Sequence, residues 1–238
     1  GYRDYLGADG TAPGVVNNPH PTGTVVECVA CHNPAASSLI SVTFPSSATV
    51  AVQDSSARCM VCHQGRASAV QVLEAIEKVG LTDQPDTPSA DLGFVNIHYY
   101  AAAASLFGGE AHGGFEFPDR RYQPKFEHVE GYQTCADCHN PHTLEVRVNE
   151  CATCHEGITS VEDLRDVRMQ GSLRDYDGDG DIEEGIAYEL DGLREKLYQA
   201  IQAYASETLT QSIVYDAGTH PYYFIDTNAN GAADEDEV

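Results

Sequence analysis

The chain has no tryptophan, two methionines and seven phenylalanines among 238 residues. That is little bulky apolar material for a length that ordinarily supports one or two side-chain cores. It has no run of the eighteen or so apolar residues that a membrane-crossing helix requires, so no membrane span is expected. No charged segment followed by an apolar stretch opens the chain at Gly1, so it is expected to be mature or to have lost its leader. Basic residues are scarce too: 13 Lys and Arg face 37 Asp and Glu, for a formal net charge of -24. A field of that sign repels nucleic acid and anionic lipid surfaces, and favours cations, basic proteins, metal ions or mineral surfaces as partners.

The chain also lacks any cysteine outside one repeated pattern. All eight sit in four C-x-x-C-H pentapeptides: Cys28/Cys31/His32, Cys59/Cys62/His63, Cys135/Cys138/His139 and Cys151/Cys154/His155. Two thiols three positions apart add across the two vinyl groups on one edge of a haem, and the histidine that follows is placed to ligate the iron. A lone C-x-x-C also reads as a zinc half-site or a redox dithiol, but neither has reason to carry His at the same offset four times. Four covalently bound haem c groups are expected, about one per sixty residues. The porphyrins would then supply much of the apolar surface that side chains usually supply. With 21 Gly and 11 Pro, the expected fold is a multihaem cytochrome c, haem-cored and mostly irregular coil with a few short α-helices and minor β-hairpins. Haem attachment to such motifs takes place outside the cytoplasm, so export is implied.

One tetrahaem domain is expected over 1–238, with an extended arm at 1–27, a haem-binding region at 28–160 and a C-terminal helical and calcium-loop region at 161–238. Gly7, Gly10, Pro13, Gly14, Pro19, Pro21 and Gly23 break any periodicity in the arm. Leu39 to Val52 reads as β-structure, with Pro45 marking a turn or an edge. Val70, Leu73, Ile76 and Val79 fall at helical spacing, ended by Gly80, and predict a helix from Ala67 whose apolar face packs. His98 is expected to open a short alanine-rich helix through Leu106. A long helix is predicted over Ile182 to Leu209, with Ile186, Leu190, Leu193, Leu197 and Ile201 on a packing stripe. Motifs three and four start sixteen residues apart, which places their haems near each other. The long stretch between motifs two and three is expected to fold back and deliver ligands.

The second axial ligand decides whether such irons conduct or bind substrate, since two imidazoles close an iron and one leaves it open. Of ten histidines four are in the motifs, leaving His20, His98, His112, His128, His142 and His220. Met60 lies inside the second motif and Met169 is the sole other methionine, so methionine cannot fill four positions. His142 follows His139 by three residues in Cys138-His139-Asn140-Pro141-His142. Pro141 keeps both imidazoles from turning to one iron, so His142 is expected to ligate a neighbouring haem. His98 and His128 lie in the stretch assigned to deliver ligands. The fourth ligand is His20 on the arm, from the same chain or the next subunit, with His220 and His112 as rivals.

Two acidic segments have the spacing of calcium loops. Asp226, Asn228, Asn230 and Gly231, with Glu237 at position twelve, match D-x-[DN]-x-[DN]-G-x5-E throughout. Asp175, Asp177, Asp179 and Gly180 begin a second such loop, in which Glu183 or Glu184 must replace the missing acid at position twelve. Calcium is expected as a further ligand at these loops.

The four motifs resemble the extracellular multihaem cytochromes of metal-reducing bacteria. So do Asn96-Ile97-His98-Tyr99-Tyr100-Ala101-Ala102-Ala103, Phe126-Glu127-His128, Cys138-His139-Asn140-Pro141-His142 and the closing Asp/Asn-rich turn. The nearest likeness is to the tetrahaem subunits of extracellular cytochrome filaments, or nanowires. The resemblance implies bis-His irons in parallel and T-shaped haem stacks, with His98, His128 and His142 as ligands by position. It also implies a head-to-tail homopolymer in which one distal histidine crosses the interface, a role that suits His20. The expected activity is electron transport, not catalysis, at the cell surface or outside the cell, toward redox partner proteins or extracellular metal oxides. A monomeric periplasmic shuttle is the alternative. A multihaem reductase comes third, since its open iron is often marked by Lys in place of the motif His, and no such motif occurs.

Overall fold

Turn-forming residues keep almost every element short. The computed structural model describes residues 10, 27–98 and 100–237, and the chain divides into two units, one of residues 1–79 with 95–145 and one of 80–94 with 146–238.

Among the described residues the first unit opens with two single-turn helices, α1 (Cys28–Cys31) and α2 (Pro34–Ser37), the second capped by Asn33, whose Oδ1 accepts from the Ala36 amide at 2.9 Å. Alternation of Val42, Val50 and Val52 with threonines then makes an antiparallel hairpin of β1 (Ser41–Thr43) and β2 (Thr49–Ala51), in register Val42 to Val50, with Pro45 in its turn. Helix α3 (Ser56–His63) carries the second motif, and α4 (Ala69–Lys78) starts at a Ser68–Gln71 capping box. Beyond residue 95 come α5 (Ala102–Phe107), a 3-10 turn at Gly108–Glu110 and α6 (Cys135–Cys138).

The core of this unit is small. Met60, fully buried, is surrounded by Val42, Phe44, Val50, Ala57 and Phe107, with the Phe44 and Phe107 rings 6.2 Å apart. Gly109 is required where the loop crosses itself: its amide donates to Gln123 O at 2.7 Å, and a Cβ would stand 2.6 Å from Tyr122 O.

In the second unit α7 (Val148–Cys151) opens the fourth motif, a 3-10 helix spans Glu162–Asp166, and α8 (Ile186–Leu209) is followed by a hairpin of β3 (Ile213–Tyr215) and β4 (Tyr223–Ile225). Glu189 on α8 is 1% exposed and pairs with Arg168 at 2.7 Å. Its other oxygen accepts from the amides of Tyr176 and Asp177, at 2.6 and 2.9 Å. The acidic loop is thus hung on the helix by one carboxylate. Lower down, Tyr198 Oη accepts from the Tyr215 amide at 3.1 Å and Gln202 Nε2 donates to Ile213 O at 3.1 Å, seating the hairpin.

Few, mostly short helices and two-stranded sheets joined by coil agree with the expectation, apart from the 24 residues of α8. Among the described residues no helix is long and apolar enough to cross a membrane.

Three local expectations change. The alanine-rich helix starts at Ala102 and not at His98, because His98 and Tyr100 have φ of 76° and 54°, outside helical geometry. Helix α8 starts at Ile186 and not at Ile182, because Asp181 Oδ1 takes the amides of Glu183 and Glu184 and holds them in the loop. The apolar stripes of α4 and α8 are not covered: Leu73 is 51% and Leu197 62% exposed, since α8 docks through Glu189 and Ala205 instead.

Gly192 gives a test of the α8 seat, because a Cβ there would collide with Asp177 Oδ2. Alanine normally gains about 1 kcal/mol over glycine inside a helix. Overpacking costs about 1–3 kcal/mol, so Gly192→Ala should lower stability by up to about 2 kcal/mol in denaturant melts; a gain would refute the close approach.

Burial alone would raise the Glu189 carboxyl, but Arg168 and the amides of Asp177 and Tyr176 outweigh it and hold the group below the usual carboxylate range. Its contribution is complete above the ordinary glutamate pKa and is lost as pH falls through the depressed one. Acidification in that range should therefore lower the melting temperature. Glu189→Gln should flatten that dependence while lowering the neutral-pH value, and an unchanged slope would exclude Glu189 as its source.

Candidate haem-binding centres

Each motif forms one helical turn. The His32 and His139 amides donate to Cys28 O and Cys135 O at 2.8 Å, and the His155 amide donates to Cys151 O at 3.0 Å; the second motif lies within α3. Residues three and four apart on a helix share a face, so each turn presents two sulfurs on one side with the histidine at its end. The donor set and its placement fit a haem c.

Two motif histidines are oriented from behind. Nδ1 of His63 lies 2.7 Å from Tyr100 O, and Nδ1 of His139 lies 3.2 Å from Leu144 O. A carbonyl at Nδ1 fixes that nitrogen as the protonated one and leaves Nε2 as the ligand. The carbonyl at Leu144 is put there by Asn140, whose backbone bonds to Leu144 and Glu145 while its Oδ1 accepts from the His142 amide at 2.9 Å. The same Cys-His-Asn-Pro run at motif one uses Asn33 to cap α2 and to bond Val29 O at 2.8 Å. Asparagine after the motif histidine therefore sets where the chain turns, a role the sequence reading did not assign.

Three of the four motifs gather in the first unit. The Cys135 amide donates to Ser56 Oγ at the start of α3, at 3.0 Å. Cys59 and Cys135 share a hydrogen bond that pushes the Cys59 thiol up, with burial adding to it, and draws Cys135 down to about 6. Cys31 is close enough to Cys59 and Cys62 to raise both. Cys151, Cys154 and His155 belong to the second unit.

Of the candidate distal ligands, His142 is brought to a motif histidine: its ring centre lies 6.3 Å from that of His32, with 10° between the planes. His98 precedes α5, its amide bonded to Asn96 Oδ1 at 2.7 Å, and His128 meets Tyr132 edge-on at 6.4 Å. Nδ1 of His112 pairs with Glu116 at 2.8 Å, and His220 sits edge-on between Phe94 and Tyr222 at 5.7 and 5.6 Å. His20, with the rest of the arm up to residue 26 except Gly10, lies outside the described residues. Met60 is buried in the core and Met169 is 63% exposed.

The acidic loops are folded on themselves. Asp175 accepts from the amides of Gly178 and Gly180, and Asp177 from that of Asp179. Oxygens of Asp177, Asp179 and Glu184 lie within 4.8 Å of one another, as do those of Asp175, Asp177 and Glu189. Glu184 Oε1 is buried without a hydrogen-bond partner, and burial first, then Asp179 and Asp177, push its carboxyl up. The sequence left Glu183 and Glu184 as equals and gave no sign of Glu189, three residues beyond position twelve of that loop. At the C-terminal loop Asp226 is buried and accepts from the amides of Asn230 and Gly231 at 3.1 and 2.9 Å. Asn228 and Asn230 turn their amides to Asp234, and Glu237 caps Thr227 and Asp234.

No protein-family model matches the chain, and no solved structure matches it. Among curated proteins it is similar to the C-type polyheme cytochrome OmcB of Geobacter sulfurreducens, at 26% identity over 208 residues, covering 76% of this chain and 23% of that protein. The C-type polyheme cytochrome OmcC of the same organism is 26% identical over 76% of this chain and 22% of its own length. The chain thus spans under a quarter of the curated relatives it matches.

Proposed function

We propose that this chain is a multihaem c-type cytochrome that carries electrons through four haems, each closed by two histidines, as the repeating subunit of an extracellular filament. Likeness to the polyhaem cytochromes supports the coarser part of that reading, electron transfer by a multihaem c-type cytochrome. The set of four motifs, three of whose thiol pairs belong to one small unit, carries the four-haem part, and the resemblance to filament-forming tetrahaem cytochromes supports the filament. Haem supplies the one-electron chemistry. The chain supplies thioether anchors at Cys28, Cys31, Cys59, Cys62, Cys135, Cys138, Cys151 and Cys154, and proximal ligands at His32, His63, His139 and His155. It supplies distal ligands at His98, His128 and His142, with His20, His112 or His220 as the fourth. The uncovered faces of α4 and α8 suit apolar macrocycles or a second copy of the chain.

Intact mass of the exported holoprotein should show the 25.7 kDa chain plus four haems. Negative-stain images should show thin filaments; if His20 is the ligand given across subunits, His20→Ala reduces them to single particles, and unchanged assembly would remove that role. Fewer haems would refute the ligand scheme; particles from the parent would favour the monomeric periplasmic shuttle.

Calcium at Asp175, Asp177 and Asp179, and at Asp226, Asn228, Asn230 and Glu237, is proposed as a structural ligand. The orphaned Glu184 oxygen beside Asp177 and Asp179 supports the first of these loops. Calcium at a hundredfold excess over its Kd should stabilise the holoprotein by about 2–3 kcal/mol, an effect removed by EDTA. Glu184→Gln should abolish the effect of the first loop. Identical melts with and without calcium would exclude both loops.

A further inference from the structure

We infer that His142 closes the iron of the haem attached at Cys28 and Cys31, on the side opposite His32, and that the haems of motifs one and three are therefore direct neighbours in the electron path. The inference rests on the proposal that the motifs carry bis-His haems.

The two imidazoles come from distant parts of the sequence, yet their centres stand 6.3 Å apart with planes 10° from parallel. An imidazole nitrogen binds a first-row metal at about 2 Å, and its ring centre lies about 1 Å further back, so two imidazoles across one iron have centres about 6 Å apart. Both rings then contain the axis through the iron, which parallel planes allow. The same separation falls within the range of stacked aromatic neighbours; it is the place of His32 in a C-x-x-C-H motif that favours ligation.

The backbone of each residue is set independently of the other. His32 ends α1, its amide on Cys28 O at 2.8 Å. His142 is set by its amide on Asn140 Oδ1 at 2.9 Å and by the fixed φ of Pro141. His139, three residues earlier, has its Nδ1 turned to Leu144 O at 3.2 Å, so its ligating nitrogen serves its own motif's iron. Residues 139 and 142 are at most about 11 Å apart along the chain. One three-residue tether then binds two irons, and the third-motif haem lies beside the first-motif haem. The order of haems in space departs from the order of motifs in sequence.

The test uses exported holoprotein with haem content fixed by mass. His142→Ala should convert one low-spin ferric haem to high spin by electron paramagnetic resonance, and the reduced protein should bind one carbon monoxide per chain. The same substitution in a Cys28→Ala, Cys31→Ala background, which has lost the first-motif haem, should add no high-spin signal and no carbon monoxide binding. If the alanine variant does not mature, His142→Met in both backgrounds should give one haem with a thioether-to-iron charge-transfer band and a raised potential, in the intact background alone. An added high-spin haem in the background lacking motif one would assign His142 to another iron and overturn the pairing while keeping bis-His ligation. All irons low spin after His142→Ala would reduce the pair to a ring contact and overturn it as well. A parent without four low-spin haems would instead remove the proposal on which the inference rests.

Discussion

A side chain at one position of a helical turn shares its face with those three and four positions on. This constraint organises the chain, because each C-x-x-C-H turn fixes two sulfurs and an imidazole on a single surface in a segment too short to hold itself. The turns survive because something outside them bonds to their ends. Asn33 and Asn140 redirect the backbone, Ser56 receives the Cys135 amide, and Tyr100 and Leu144 lend carbonyls to His63 and His139. Helices of four residues have no independent stability, so the geometry of the centres is set by these tertiary bonds.

A second consequence concerns burial. The side-chain core of the first unit is a cluster around Met60, and no residue of α4 is buried although its apolar positions are well spaced. An apolar groove of about 410 Å³ runs between α4, Ile97 and Phe115. Chains that keep this much apolar surface open are built around a large apolar partner or against another molecule, which is the arrangement that several macrocycles per small domain would produce.

The second unit solves its stability differently. A buried Arg168–Glu189 pair, with both Glu189 oxygens further bonded, fastens an acidic loop to the long helix. The cost of burying two charges is offset only when the remaining lone pairs are satisfied, and Glu189 meets that condition. Glu184 does not, since its Oε1 is enclosed with no partner. Two acids five residues apart thus differ in their surroundings, one fully bonded and the other with an oxygen left without a partner.

The sequence determined the local chemistry. Cysteine spacing singled out the candidate attachment residues, and the stretch Leu39 to Val52 with Pro45 in its middle marked the β-structure of the first hairpin. The periods at 70–79 and 186–201 located the two regular helices, because covalent spacing and backbone propensity act within one element. It did not reveal where α5 and α8 begin, since the left-handed backbone at His98 and Tyr100 and the hold of Asp181 on its neighbours are outcomes of loop closure. Nor did it distinguish Glu189 from the other acids of the chain, because burial depends on what packs over a residue. Tertiary structure alone brought His142 to His32 and Cys59 to Cys135. Such pairings join residues far apart along the chain, and only the packing of the segments between them decides which side chains meet.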